Sequence, residues 1–258
     1  MSHFSLTVVG YDVDEMLAPY CEHDKSYMTF TDTTDEDTRE YIEGTANMLI
    51  IDGEQHFPWS KEAKAYSTEY EKEYGRKPKQ VEVKFTDIYD TFDNFENNWF
   101  CRESITRSGE TRYGHYNNPN AKWDWYTIGG RWDGYWLKKD GSMANQTLKA
   151  QIDFDKMIEI RRKDAEYRWN YYHKNGKIDD MWIRLDLSEF EKPLDEYVEC
   201  AETPATFAIL WKDKWYERGE MMWFGVSIEN EAQWNGIYRE IWDSIHEEEL
   251  ITIVDYHI

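Results

Sequence analysis

The spacing of apolar positions along the chain changes several times, and each spacing predicts a different element. His3 to Gly10 (His-Phe-Ser-Leu-Thr-Val-Val-Gly) alternates and is rich in β-forming residues, so it predicts a first strand. Leu250 to Ile258 alternates in the same way and predicts a last one. Helical periods lie between them. Ser60 can cap a helix that carries Ala63, Tyr66, Tyr70 and Tyr74 on one stripe and stops at Gly75, with Pro78 beyond. Ile88, Phe92, Phe95 and Trp99 step by four, three and four, which predicts an amphipathic helix over 86–99. Asp153 can cap a long helix through Phe154, Ile158, Ala165, Trp169 and Tyr172, closed by Asn175-Gly176. The basic cluster Arg161, Arg162 and Lys163 falls on its outer side, balanced by Asp164 and Glu166. Trp234, Tyr238, Ile241, Trp242 and Ile245 give an inward stripe to a helix over 230–249, which ends in Glu247, Glu248 and Glu249, where the macrodipole disfavours acids.

Shorter β-rich runs complete the pattern. Val81 to Phe85 and Met181 to Leu187 read as strands, and Thr206 to Trp211 with Trp215 to Arg218 reads as a hairpin across Lys212-Asp213-Lys214. Met221 to Ile228 adds a third strand there. Residues 21–45 are a polar excursion in which Thr29 to Thr38 shows no apolar period, predicting a surface loop or a frayed helix start. Strands at both termini with helices between them predict an α+β fold, its mixed or antiparallel sheet including both terminal strands and packed with several amphipathic helices. With no repeat and no Pro, Gly or Ser linker, the expectation is a single globular domain over 1–258.

The most specific stretch is Asn117 to Trp136. Gly129-Gly130 suits a primed two-residue turn, so 123–136 predicts a hairpin. Counting outward places Trp123, Trp125, Trp132 and Trp136 on one face, a wall of indoles read mainly as core. The opposite face collects Asp124, Tyr126, Ile128, Arg131, Asp133 and Tyr135. A guanidinium held by Asp124 and Asp133 forms either a surface network or a preorganised anion receptor. The ligand-contact candidates are therefore Asn120, Lys122, Asp124, Tyr126, Arg131, Trp132, Asp133 and Tyr135.

Composition narrows the classes. The chain has 258 residues and 13 Trp, 19 Tyr and 11 Phe, which supply ample apolar area for a core. No run approaches a membrane span, and the start lacks a signal-peptide pattern, so a cytoplasmic protein with no membrane partner is expected. Cys21, Cys101 and Cys200 are an odd, scattered set that reads as reduced thiols. The formal charge of −22 is uneven: net −11 over 12–54, +2 over 55–185 and −13 over 186–258. Such a field repels phosphate backbones and attracts a basic partner, so direct nucleic-acid binding is not expected. Mimicry of DNA is disfavoured by the many aromatics and the near-neutral middle.

Chemistry-bearing motifs are sparse. There is no Walker loop, no dinucleotide fingerprint and no Gly-x-Ser-x-Gly elbow, and no cofactor is implied. Adjacent Cys21, Glu22, His23 and Asp24 diverge too much to ligate one ion. If the terminal strands pair, His3, Asp255 and His257 converge, and two imidazoles with one carboxylate would suit Zn or Mn as well as ordinary edge histidines.

Met1-Ser2-His3-Phe4 with Leu17-Ala18-Pro19-Tyr20, the segment Asn118-Pro119-Asn120-Ala121-Lys122-Trp123-Asp124-Trp125-Tyr126, then Ile128-Gly129-Gly130-Arg131-Trp132, Trp215 to Met221 and the close Val254-Asp255-Tyr256-His257-Ile258 form a set. Together they resemble a family of uncharacterised proteins carried by tailed bacteriophages and prophages, and the resemblance spans the whole chain. That family often has Cys before the terminal His-Ile, where this chain has Tyr256, a departure that argues against a catalytic thiol there. The resemblance implies an accessory protein in the cytoplasm of the infected bacterial host. Three functions follow as expectations. The first is non-enzymatic neutralisation of a basic host factor through the acidic surface, including the run Asp32, Asp35, Glu36 and Asp37. The second is sequestration of a nucleotide-like defence signal by the Trp and Arg residues of 117–136. The third is a metal-dependent hydrolase using His3, Asp255 and His257.

Overall fold

The computed structural model describes residues 2–177, 187–219, 221–222, 226–227 and 231–258. The fold is α+β, with a mixed sheet that contains both terminal strands and helices packed against it. Backbone proximity divides the chain into two compact units, residues 1–27 with 120–258, and residues 28–119. No Gly- or Ser-rich linker marks either boundary.

In the first unit, the N-terminal strand His3–Val9 lies antiparallel to the C-terminal strand Leu250–His257, with His3 opposite His257 and Val9 opposite Ile251. On its other edge the first strand runs parallel to Ala208–Trp211, which turns back into Lys214–Glu217. Lys212 and Asp213 both have positive φ, as the predicted hairpin requires. The outer edge of the last strand is shared end to end by two short strands. Gln146–Leu148 takes its first half and Trp125–Ile128 its second.

Alternation along these strands separates two cores. Leu6, Val8, Leu210, Val254 and Tyr256 point to one side, where they meet Val13, Leu17 and Trp123. Val9, Ile209, Ile251 and Ile253 point to the other, beneath Trp234, Tyr238, Ile241 and Trp242 of the helix Glu231–Ser244. A hydroxyl chain crosses this second core: Thr7 Oγ1 lies 2.8 Å from both Tyr238 Oη and Thr206 Oγ1, and Thr206 donates to the Ala208 carbonyl at 2.6 Å. Burial pushes the Tyr238 phenol up. The helix ends five residues earlier than the sequence predicts. Its close is met by the buried Lys149, whose Nζ donates to the Ile245 carbonyl at 2.6 Å and lies 3.3 Å from Glu247, so a cation and not the acidic triplet faces the helix C-terminus.

The long helix Phe154–Asn175 is capped by Asp153, which accepts the Lys156 N–H at 3.0 Å. Arg161 differs from expectation. It turns inward to donate to Tyr135 Oη at 3.0 Å, while Lys163 pairs with Glu159 and Arg162 lies near Glu166 and Glu202. The strand predicted at Met181 to Leu187 lies outside the described residues except for Leu187, which opens a 3-10 turn. Of the strand predicted over 221–228, the described part is a ladder of Met221–Met222 with Val226–Ser227.

The predicted hairpin over 123–136 does not form. Trp125–Ile128 pairs instead with Leu250–His257, where it gains a longer partner and closes an otherwise open edge. Gly129 and Gly130 do take positive φ, at 78° and 56°, but they lead into a 3-10 turn over Gly130–Trp132. Trp136 then pairs through its backbone with Ala144. The four indoles therefore part company. Trp136 is fully buried and stacks on Trp242 at 5.4 Å, Trp132 joins the same core, Trp123 joins the opposite one, and Trp125 is half exposed.

The second unit has two three-stranded sheets. In one, Thr45–Ile51 lies between Glu54–His56 and Val81–Lys84. In the other, Glu110–Asn117 lies between Thr29–Asp32 and Glu103–Arg107. The polar excursion is thus ordered: Thr29–Asp32 is a strand and Thr34–Glu43 a helix, because Asp32 and Asp35 bind Arg112 and Asp37 binds Arg102. Lys61–Tyr74 is the helix capped by Ser60, as predicted. The helix predicted over 86–99 is broken. Phe85–Ile88 stops at Tyr89, Thr91 caps a fresh start at Phe92–Phe95, and a π turn follows over Glu96–Phe100.

Glu96 is fully buried beside the Asp37–Arg102 pair, and neither of its carboxyl oxygens has a hydrogen-bond partner among the described residues. Burial first, and repulsion from Asp37 second, push its pKa from 4.5 up to about 7. Because the folded value is raised, this group's contribution to stability is intact below the unfolded value and lost as pH climbs from 4.5 to about 7. Replacing Glu96 with Gln is expected to raise urea stability at pH 8 by on the order of 2 kcal/mol and to change it little at pH 4.5. An equal effect at both pH values would show that ionisation is not the cause.

Candidate functional site

The polar end of the central sheet is dictated by the pairing of its terminal strands. His3 and His257 stand directly opposite each other, so their side chains share one face and one row. Trp125 is the register partner of His257 on the far side, extending that row to a third ring. The next row is Ser5, Asp255 and Thr127, also on this face. The His3 ring lies edge-on to both His257 and Trp125, at 5.8 and 6.1 Å, and the middle ring is the most covered of the three.

Each imidazole is held by a carboxylate through the same nitrogen. His3 Nδ1 lies 2.8 Å from Asp255 Oδ1, and His257 Nδ1 lies 2.6 Å from Asp124 Oδ1. An ionised carboxylate only accepts, so the Nδ1–H tautomer donates in both pairs and Nε2 is the nitrogen left for other work. His257 Nε2 is buried without a partner among the described residues. Asp255 is almost fully buried, and its second oxygen accepts the Arg131 backbone N–H at 3.0 Å.

That backbone contact needs a glycine. A Cβ on Gly130 would sit 2.5 Å from Asp255 Cβ and Oδ2, at a φ of +56°. The neighbouring loop is pinned by Asn145, which accepts the Gly134 N–H at 2.6 Å, donates to Asp133 at 2.7 Å and offers its carbonyl to the Ile253 N–H.

The residues singled out in the sequence meet different fates. Asp124 reaches the site through His257, and Arg131 reaches it through its backbone. The Arg131 side chain is exposed and forms no ion pair among the described residues, so the expected clamp by Asp124 and Asp133 is absent: the first serves His257 and the second Asn145. Lys122 pairs with Glu217 at 2.6 Å and Tyr126 donates to Asp14. Burial, followed by that carboxylate, raises the Tyr126 pKa to about 12. Tyr135 bridges Arg161 and the Pro204 carbonyl, its phenol raised by burial against the opposing Arg161. Trp132 is packing, and Asn120 is exposed. Trp125 and Asn145 were missed as site residues because the hairpin reading gave Trp125 to a core face and left Asn145 in no element.

His3, Asp255 and His257 do converge. Among the described residues, however, no three or more His, Cys, Asp and Glu side chains are grouped to hold a metal ion. Nδ1 of each ring is engaged by a carboxylate, so Nε2 is the nitrogen through which either ring can hydrogen-bond or exchange a proton with a ligand. Also among the described residues, no helix is long and apolar enough to cross a membrane, and no disulfide joins the three cysteines. Comparison with family models, curated proteins and solved structures finds no match to this chain.

Gly130→Ala is expected to cost about 1–3 kcal/mol in urea unfolding, because the methyl collides with Asp255 and the backbone is strained. Gly236→Ala, on an open helix position, should be neutral or slightly stabilising. Equal stability of the two variants would contradict the close approach of this loop to Asp255.

Proposed function

We propose that the protein binds a phosphate-bearing ring compound of nucleotide type at the end of the paired terminal strands. The observation that carries this reading is the row His3, His257 and Trp125, with each imidazole oriented by its own carboxylate. Trp125 offers an indole face for stacking, and exposed Arg131 supplies a guanidinium suited to phosphate. His3 Nε2 supplies a hydrogen-bonding or proton-accepting group, so the same arrangement supports either retention of the ligand or its hydrolysis.

The resemblance to proteins of tailed phages supports a role in the infected cell, where such a site would withdraw a nucleotide signal of host defence. The reading as an inhibitor of a basic host protein rests on the uneven charge distribution and on the same resemblance. Its intended surface is weakened by pairing, since Asp32, Asp35 and Asp37 are engaged by arginines and Asp37 is buried.

Calorimetry against a panel of mono-, di-, oligo- and cyclic nucleotides tests the proposal. At least one is expected to bind, with affinity reduced about tenfold or more in Trp125→Ala, Arg131→Ala and His3→Ala. Chromatography of the incubated nucleotide separates retention from turnover. Absence of binding across the panel, or undiminished binding by the three variants, would overturn the assignment.

A further inference from the structure

We infer that the second unit carries a separate binding site for a neutral saccharide, in a cleft walled by Phe57, Trp59 and Trp99. The cleft is a shallow, open depression of about 800 Å³. Its floor is a cluster of three rings. Phe57 stacks on Trp59 at 4.7 Å and 13°, Trp99 lies 5.6 Å from Phe57 at 30°, and the two indoles are 5.9 Å apart.

The aromatic surface is not used up by packing. Phe57 and Trp99 lean on the core built from Phe85 and Phe95, whereas Trp59 remains 57% exposed. An indole so exposed, held against a second ring, presents a preorganised apolar face. Beside it stand two amides one helical step apart, Asn94 and Asn98. Asp90 accepts from Asn94 Nδ2 at 2.8 Å, and Asn98 Nδ2 donates back to the Asn94 carbonyl at 2.8 Å. This chain of bonds orients both amides and leaves the Asn98 side-chain carbonyl without a hydrogen bond among the described residues.

The chemistry of the lining selects the ligand class. None of the residues lining the cleft is charged, so nothing in it compensates a phosphate or carboxylate. The three rings close into a compact cluster, a platform whose exposed face is the Trp59 indole, and the uncharged amides beside it match the hydroxyls of a neutral polyol. A pyranose fits such a platform. Its axial C–H face covers the Trp59 indole, and its equatorial hydroxyls reach the amides as donors and acceptors.

Saturation-transfer NMR with the full-length protein tests this, using maltotriose, cellotriose and chitotriose as probes and adenosine as the competing ring. At least one trisaccharide should receive saturation at its ring protons. Trp59→Ala should weaken its binding about tenfold or more and Asn98→Ala several-fold, while Arg131→Ala leaves it unchanged. Because Trp59 is exposed, its removal leaves the core intact, and circular dichroism of that variant verifies this. No transfer to any of the three sugars, equal transfer with Trp59→Ala, or Trp59-dependent binding of adenosine in preference to the sugars would overturn the proposal. Since Arg131 belongs to the nucleotide site, its variant separates failure of one site from failure of the other.

Discussion

The register between the first and last strands is the constraint on which the first unit depends. Pairing His3 with His257 sends Leu6, Val8, Val254 and Tyr256 into one core and Val9, Ile251 and Ile253 into the other. A slip of one residue would exchange the faces, placing apolar side chains at the polar end and the histidine–aspartate pair inside the core. The same strands supply the edges on which 125–128, 146–148 and 208–211 assemble. Residues 252 positions apart in sequence thus become hydrogen-bonded neighbours, as His3 and Asp255 are.

Everything at the polar end follows from that frame and from one close approach. Gly130 lets the loop come down on Asp255, so a carboxylate that is nearly fully buried is satisfied by one backbone donor and one imidazole. A buried, doubly bonded carboxylate orients a ring far better than an exposed one, because its alternatives in water are removed. Asp124, partly exposed and just ahead of the strand Trp125–Ile128, bonds His257 through the same ring nitrogen. The result is two oriented imidazoles beside a half-exposed indole, and this combination distinguishes the end of the sheet from an ordinary polar rim.

The parts that were legible in the sequence are those set by local pattern. Alternation gave both terminal strands and the face shared by His3, Asp255 and His257, and the caps at Ser60 and Asp153 marked two helices correctly. The errors came from competition between partners. Trp125–Ile128 has a turn signal that points to 131–136, yet the free edge of the last strand outbids it, and no local pattern encodes that edge. Thr91 interrupts an apolar period that continues across it, since capping a new turn satisfies backbone groups that periodicity ignores. Asp32, Asp35 and Asp37 read as a solvated run because their arginines lie 65 to 80 residues away. For the same reason Arg161 looked like a surface charge, although it ends on the inward Tyr135 hydroxyl.

The central claim is that two carboxylate-held imidazoles at the paired termini form one ligand site. Long-range nitrogen–proton NMR of the histidine side chains, recorded without and with the nucleotide panel, tests it most directly. The account predicts that His3 and His257 both carry the proton on Nδ1 when neutral, and that these two rings shift together on ligand addition while His23, His56, His115, His173 and His246 stay in place. Protonation of the two rings on Nε2, or a ligand response that spares them both, would contradict it.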